Sequence, residues 1–336
     1  MPSLSLKAAL SLSVTGLILT GCSSRKESSE TAAAAVAQAA CDRACLIKLT
    51  DQYLAAVVKH DPGAVPLAEN LAFVENIKRI KPGEGLWKSA TGGPTDFKIY
   101  VPDVDQQQAG WMGIVQQEGK PVLLALRLKL VDGKITEAEH IVAAPARGNM
   151  DNLTSLRPGL MATSIIPEAQ RKSHDELVKI GLSYYDALDD NDGSKMPFAP
   201  DCSRNENGLT TAGEGAQGAP NTDPKLPPIA RDCKGQLDSK TFTYIDKIEN
   251  RRLIAADPVT GLAMGFSHLR HPMNNLPYKI VHVDGSTSER NKANMPFAPF
   301  DMPAAHIFKI GADGLVHEIE AAGIVVRPNN QPTGWE

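Results

Sequence analysis

Apolar residues at positions 46, 47, 49, 53, 54, 57 and 58 recur at helical spacing, and Asp61-Pro62-Gly63 ends the run. Period-two and apolar runs then predict strands near Leu71–Asn76, Phe97–Val101, Gly110–Gln116, Val122–Val131 and Lys134–Ala143, with an Asp132-Gly133 turn between the last two. Proline-bearing sequence follows from 145 to 172. A second helix is predicted over Asp175–Leu188, opened by Ser173 with Glu176 three residues on. Strands follow at Phe242–Ile248, Leu262–Leu269, Ala304–Ile310 and Leu315–Val326. A helix followed by a run of antiparallel strands, twice over, predicts an α+β architecture in which each curved sheet is backed by its helix.

The two halves align without a gap at an offset of 131 positions between residues 46–76 and 177–207. Identical pairs are Leu46/Leu177, Tyr53/Tyr184, Ala56/Ala187, Asp61/Asp192, Pro66/Pro197, Ala68/Ala199, Glu75/Glu206 and Asn76/Asn207. The closing hairpins also match, Gly133 to Glu139 over Gly314 to Glu320. The pattern reads as an internal duplication. Met196-Pro197-Phe198-Ala199-Pro200 recurs as Met295-Pro296-Phe297-Ala298-Pro299, and both are expected to lay an extended segment with a buried Phe on the fold.

The N-terminus changes the picture from soluble domain to exported one. Lys7 precedes an apolar run from Ala8 to Thr20, too short for a finished membrane span. Leu19-Thr20-Gly21-Cys22 resembles a bacterial lipobox, which implies cleavage before Cys22 and lipidation of its thiol; an ordinary signal peptide is the alternative. Ser23 implies outer-membrane sorting. The Ser- and Ala-rich stretch to residue 40 reads as a tether. In an oxidising compartment the remaining Cys41, Cys45, Cys202 and Cys233 suggest two disulfides. Three pairings exist, and Cys41–Cys45 with Cys202–Cys233 is favoured over a metal site. The net charge of −4 is dispersed, with no basic stripe, so no nucleic-acid partner is expected. Aromatic content of 5% argues against a carbohydrate-stacking platform.

The helix, the Pro-Leu-Ala or Pro-Phe-Ala link, the Glu-Asn strand, the Asp-Gly hairpin, Cys41 to Leu46 and Lys81 to Trp87 together resemble a family of secreted proteins of unknown function. The resemblance implies two tandem NTF2-like (SnoaL-like) cones. Expected boundaries are 1–21 signal peptide, 22–40 tether, 41–144 first cone, 145–172 connector, 173–326 second cone and 327–336 tail. Cones of this kind host isomerases, dehydratases, cyclases and non-catalytic binders, so the fold does not name an activity.

Strand parity locates candidate chemistry. His268 shares a face with Leu262, Met264 and Phe266. His306 shares one with Phe308 and Ile310. Glu206 follows the same parity as Arg204. Glu206, His268 and His306 are therefore expected to converge in one apolar cavity of the second half. Arg204, Met264, Phe266, Phe308, Glu75 and Arg127 are the candidate ligand contacts. The first half would carry Glu75 but no imidazole, with Ile114 and Leu126 opposite the two histidines. A carboxylate raised in pKa by apolar surroundings, beside imidazoles, can move protons on a small organic molecule without a cofactor. The 209–232 loop could act as a lid. The competing readings keep Glu75 and Glu206 as bonds to backbone N–H groups, the histidines as core residues, and the chosen face as an interface. His268-x2-His271 would need a metal to be held from opposite strand faces, and no metal is expected. No nucleophile-elbow, P-loop or dinucleotide motif is present in the sequence. Turnover is thus left open. A cell-envelope lipoprotein that binds a small, partly apolar molecule is the leading expectation, and a scaffold lipoprotein the alternative.

Overall fold

The first half begins with helix α1 (Arg43–Lys59), whose start is fixed by Asp42 accepting from Cys45 N–H at 2.8 Å and by the Cys41–Cys45 disulfide. Strands β1 (Leu67–Glu75) and β2 (Lys78–Arg79), a helical turn α2 (Leu86–Ser89), and strands β3 (Ala90–Gly92), β4 (Lys98–Asp103), β5 (Gln108–Gln117), β6 (Lys120–Val131) and β7 (Lys134–Ala143) follow. The connector carries α3 (Asp151–Thr154) and α4 (Leu160–Thr163). The second half runs α5 (His174–Asp189), β8 (Phe198–Glu206), β9 (Leu209–Ala212), α6 (Cys233–Asp238), β10 (Lys247–Asp257), β11 (Leu262–His271), β12 (Tyr278–Val281), β13 (Thr287–Arg290), β14 (Phe300–Ile310) and β15 (Val316–Gly323). This computed structural model describes residues 40–157, 159–217, 225–329 and 333–336. The signal segment, Cys22, the tether before residue 40 and residues 218–224 of the long loop lie outside the described residues.

The architecture is mixed α+β, with one seven-stranded and one six-stranded sheet plus the small β12–β13 ribbon. Neither large sheet is purely antiparallel, contrary to expectation. β1 runs parallel to β7, and β8 parallel to β15, because each sheet's first strand returns beside its last. A strand expected at Phe242–Ile248 is displaced: residues 242–245 form turns, and β10 begins at Lys247. Arg251 and Arg252 lie inside β10. Both are neutralised in place, Arg251 on Asp186 at 2.7 Å and on Asp189, and Arg252 on Glu139.

The shared letters of the two halves act in the same way. Leu46 and Leu177 are fully buried under their sheets, as are Ala56 and Ala187. Asp61 accepts from Gly63 N–H at 3.0 Å, and Asp192 from Ser194 N–H at 2.9 Å. Pro66 and Pro197 each offer a carbonyl at 2.8 Å to the closing strand, to Ile135 N–H and Val316 N–H. Asn76 and Asn207 both sit at positive φ, 48° and 47°. Each side-chain amide clamps the closing strand twice. Asn207 accepts from Gly323 N–H and donates to its carbonyl, both at 2.9 Å, and Asn76 does the same to Val142 at 2.8 and 3.3 Å. Asn tolerates the left-handed region better than other non-glycine residues, which suits it to this corner.

Three apolar layers result. α1 covers one face of the first sheet through Tyr53, Leu54, Trp111 and Leu126. α5 covers one face of the second through Tyr184, Tyr185 and Phe308. The remaining faces pack on each other, joining Ile99, Met112 and Leu123 to Met264, Phe266 and Ile307. The approach is close: a Cβ on Gly110 would lie 2.7 Å from Met264 Sδ. Polar links reinforce this layer. Arg252 holds Glu139 with bonds of 2.9 and 2.7 Å, and Asp103 accepts from Ala256 N–H at 3.0 Å and pairs with His174 at 2.8 Å. The connector adds Leu153 and Met161.

Candidate functional site

Register decides which predicted residues meet. In the second sheet Glu206, Ala321, His306 and Gly265 are successive partners across β8, β15, β14 and β11, so they share the face under α5. Arg204 and Phe308 project to that face too. Met264, Phe266 and His268 project to the other, into the layer between the sheets. The expected convergence of His268 with His306 therefore does not form, because the sheet lies between them. His268 is buried, its Nε2 accepts from Arg270 Nη1 at 3.0 Å, and its Nδ1 has no hydrogen-bond partner among the described residues. Burial, and then the Arg270 charge, push its pKa down to about 4. His271 faces the opposite way from His268 and stacks on Phe300 with centroids 4.1 Å apart.

Beneath α5 the centre is Arg204. Its Nε donates to Tyr184 Oη at 2.8 Å, its Nη1 to Thr211 Oγ1 at 2.8 Å, and its Nη2 to Glu206 at 2.6 Å. The guanidinium is 13% exposed and Glu206 28%. Although burial opposes it, the Tyr184 and Glu206 contacts hold Arg204 firmly charged. Glu206 is thus ion-paired with Arg204 rather than set among apolar groups, contrary to expectation. His306 lies between Tyr184 and Tyr185, with Tyr185 Oη 3.4 Å from its Nδ1 and the Phe308 ring stacked alongside. Burial and Arg204 push its pKa down to about 3, so the ring is neutral at physiological pH.

A recess opens beside this cluster, lined by Tyr184, Leu188, Phe198, Arg204, Gln236 and Phe242 among others. It spans about 240 Å³ with its open mouth and narrows to about 10 Å³ of free space, room for one water. The Cys202–Cys233 disulfide fixes α6 against β8 at its wall. Phe198 is half-buried there. The repeated segment behaves differently, since Phe297 is 39% exposed over Tyr244 and Phe300.

The first half carries an imidazole after all. His140, opposite Glu75 in the β1–β7 register, places Nδ1 3.1 Å from Glu75 and Nε2 3.0 Å from Tyr53 Oη. Trp87 Nε1 donates to Tyr53 Oη at 3.3 Å, and Leu86 N–H donates to Glu75 at 3.0 Å. Alternation of Ala138, His140 and Val142 on one strand face was the overlooked signal. His140 is fully buried, and Trp87 occupies the space beside it, so Glu75 serves the core rather than a ligand. Arg127 is also removed from ligand duty. It lies between the sheets, donating to Gln108 at 2.7 Å and Glu137 at 2.5 Å, under the Trp335 ring at 5.4 Å.

Residues 170–323, nearly all of the second half, match the family model described as a domain of unknown function, DUF8021. The comparison with curated proteins gives no match. Solved structures similar to parts of the chain include a protein assigned as a ketosteroid isomerase from Kribbella flavida, at 12% identity and TM-score 0.25 over 35% of this chain and 93% of that one. One assigned as a polyketide cyclase from a Silicibacter species gives 12%, 0.27, 46% and 93%. One assigned as a hydroxylase from Streptomyces galilaeus gives 17%, 0.25, 38% and 92%. Likenesses this distant say nothing about activity.

Proposed function

We propose that the chain is a non-catalytic binding protein whose second half admits a small, partly apolar molecule to the recess over Arg204. The observation that carries this reading is a buried guanidinium at an aromatic-walled opening, at the position where the first half has Phe73 in a closed core. Turnover is the weaker reading. His306 is held neutral and touches Tyr185, Glu206 is engaged by Arg204, and His268 is behind the sheet, so among the described residues no acid–base pair faces the recess. The reading includes two halves derived by duplication, NTF2-like in type, and export with a lipid on Cys22 that holds the protein at the bacterial envelope. Formation of both disulfides supports an oxidising compartment.

The test is thermal-shift and NMR screening of the mature protein against small aromatic and aliphatic fragments. Binding should be lost in Phe242→Trp, which fills the mouth, while the unfolding temperature is kept. Fragment binding undiminished in Phe242→Trp places the site elsewhere. Anchoring is tested by radiolabelled palmitate incorporation in a bacterial host, which Cys22→Ser should abolish.

A further inference from the structure

The two long helices present different outer flanks. On α5, Asp186 and Asp189 hold Arg251 of β10, and Asp190 pairs with Lys195. The residues 131 positions earlier, on α1, are Ala55, Val58 and Lys59, which cannot make that closure. A groove of about 360 Å³ lies along this flank of α1, between the helix and the segment leading into β4. Leu54, Ala55, Val58 and Pro94 give it an aliphatic lining, and the exposed Lys59 and Lys98 add two ammonium groups. Neither lysine is in an ion pair among the described residues. Asp51 also lines the groove and accepts from the Tyr100 hydroxyl at 2.6 Å, which leaves the positive charge in excess. No lining residue is aromatic. Gly93 contributes no side chain to the groove. A Cβ there would lie 3.9 Å from Val58 Cγ2, an ordinary contact distance, so a larger side chain is tolerated and takes up groove space.

We propose that this groove binds an aliphatic carboxylate, with the acyl chain on Leu54, Ala55, Val58 and Pro94 and the carboxylate on Lys59 and Lys98. The site is separate from the recess over Arg204 and does not rest on the reading given for that recess. Its volume falls at the small end of the range for ligand sites, roughly 300–1,000 Å³. Covering the apolar lining supplies the affinity, and the lysines select the head group. A lining of small and branched aliphatic groups suits a flexible chain, and it offers no ring face for an aromatic body to stack on. Ammonium groups on long stems adjust to a carboxylate held at the edge of water, where the fixed fork of a guanidinium is not needed. The second half closes the equivalent flank with its own ion pairs, so the site belongs to the first half.

The test titrates octanoate, 1-octanol and octylamine into the mature wild-type protein, the double variant Lys59→Gln/Lys98→Gln, and Gly93→Leu, followed by ¹H–¹⁵N NMR. The wild type should bind octanoate about fivefold tighter than octanol, the range that two exposed ammonium–carboxylate contacts supply, with octylamine weakest. Chemical-shift changes should centre on residues 51–59 and 93–98, and added salt should shrink octanoate's advantage. The double lysine variant should bring octanoate down to the level of octanol without weakening octanol. Gly93→Leu should weaken both by about tenfold, by taking the space the chain needs. Octanoate bound no tighter than octanol, or unaffected by loss of both lysines, overturns the carboxylate assignment. Shift changes centred on Tyr184 and Phe242 put the ligand in the recess and overturn the groove site. The absence of saturable octanoate binding to the wild type overturns it as well. Thermal unfolding of each variant checks that the fold is kept. Both lysines are exposed, so their replacement carries the test if Gly93→Leu fails to fold.

Discussion

Glu320 offers a quantitative test of how the sheets are packed. It lies on β15, 5% exposed, with Oε1 accepting from Asn205 Nδ2 at 2.6 Å and Oε2 without a hydrogen-bond partner among the described residues. Burial, against which the Asn205 bond works only partly, raises its pKa from 4.5 to about 8. In the unfolded chain the carboxyl ionises near 4.5. Between about pH 4.5 and 8 the native state therefore holds a proton that the unfolded state has lost. A raised folded pKa contributes stability that is fully present below the unfolded value and lost as pH rises through the folded one. The slope is about 1.4 kcal/mol per pH unit, or roughly 5 kcal/mol across the whole window. Glu320→Gln keeps the side chain's size and its acceptor for Asn205 but removes the titration. Urea unfolding of both oxidised proteins at pH 5.0, 6.0, 7.0 and 7.5 should show the variant gaining on the wild type by about 1.4 kcal/mol per unit, near 3.4 kcal/mol over the range. Parallel stability curves, with a difference constant to within about 0.5 kcal/mol, would refute the placement of an isolated carboxyl in this layer.

The acid side has the opposite sign. His268, His271 and His306 have folded pKa values lowered to about 4, 4 and 3, so protons taken up by the unfolded chain below pH 6.5 erode stability as pH falls toward those values. His306→Gln should remove about 1.4 kcal/mol per pH unit from the slope between pH 6 and 4, measured by the same unfolding series. Replacing both Cys202 and Cys233 by Ser opens a loop with a sequence separation of 31 and should cost about 3.7 kcal/mol by chain entropy, read as a lower urea midpoint. Asn207→Ala should cost about 2 kcal/mol by losing the two-way clamp to Gly323 at a positive φ, and Asn207→Gly should recover the strain but not the bonds.

The sequence displayed much of each half's frame because its repeated residues do local work. Asp61 and Asp192 close turns, Pro66 and Pro197 offer carbonyls to the closing strand, and Asn76 and Asn207 hold corners. Such roles depend on neighbours a few residues away or on one strand partner, so offset alignment exposes them. What covers a sheet face is set by residues far along the chain, and parity cannot supply it. Met264, Phe266 and His268 form an apolar-looking face whether it meets a ligand or Gly110 of the other sheet. Arg252 reads as solvated until Glu139, 113 positions earlier, is seen opposite it. The same blindness hid Glu206's partner, since Arg204 beside it on one strand face was legible but its engagement under Tyr184 was not.

The candidate site itself follows from unequal exchange between the halves. Corresponding register rows read Glu75–His140–Leu126–Trp111 in the first sheet and Glu206–Ala321–His306–Gly265 in the second. The imidazole stands one strand over, since His140 and Leu126 correspond to Ala321 and His306, a net exchange of a leucine side chain for an alanine one. Leu54 and Trp111 become Tyr185 and Gly265, and a Cβ at 265 would lie 2.8 Å from Tyr185 Oη, so a small residue admits a large one. Both exchanges reduce side-chain volume in the second half, whose core under α5 is closed by Tyr184, Tyr185 and Phe308. Phe73 to Arg204 has no such partner. It replaces a ring lying 4.8 Å from His140 with a charge that must be neutralised from the same strand. Nor is Trp87 matched, because the second mouth is covered by α6 and Phe242, which leave the recess that Trp87 fills in the first. In the second half the buried Arg204 charge and the recess lined by Gln236 and Phe242 therefore lie side by side, which is why the proposed binding reading is placed there.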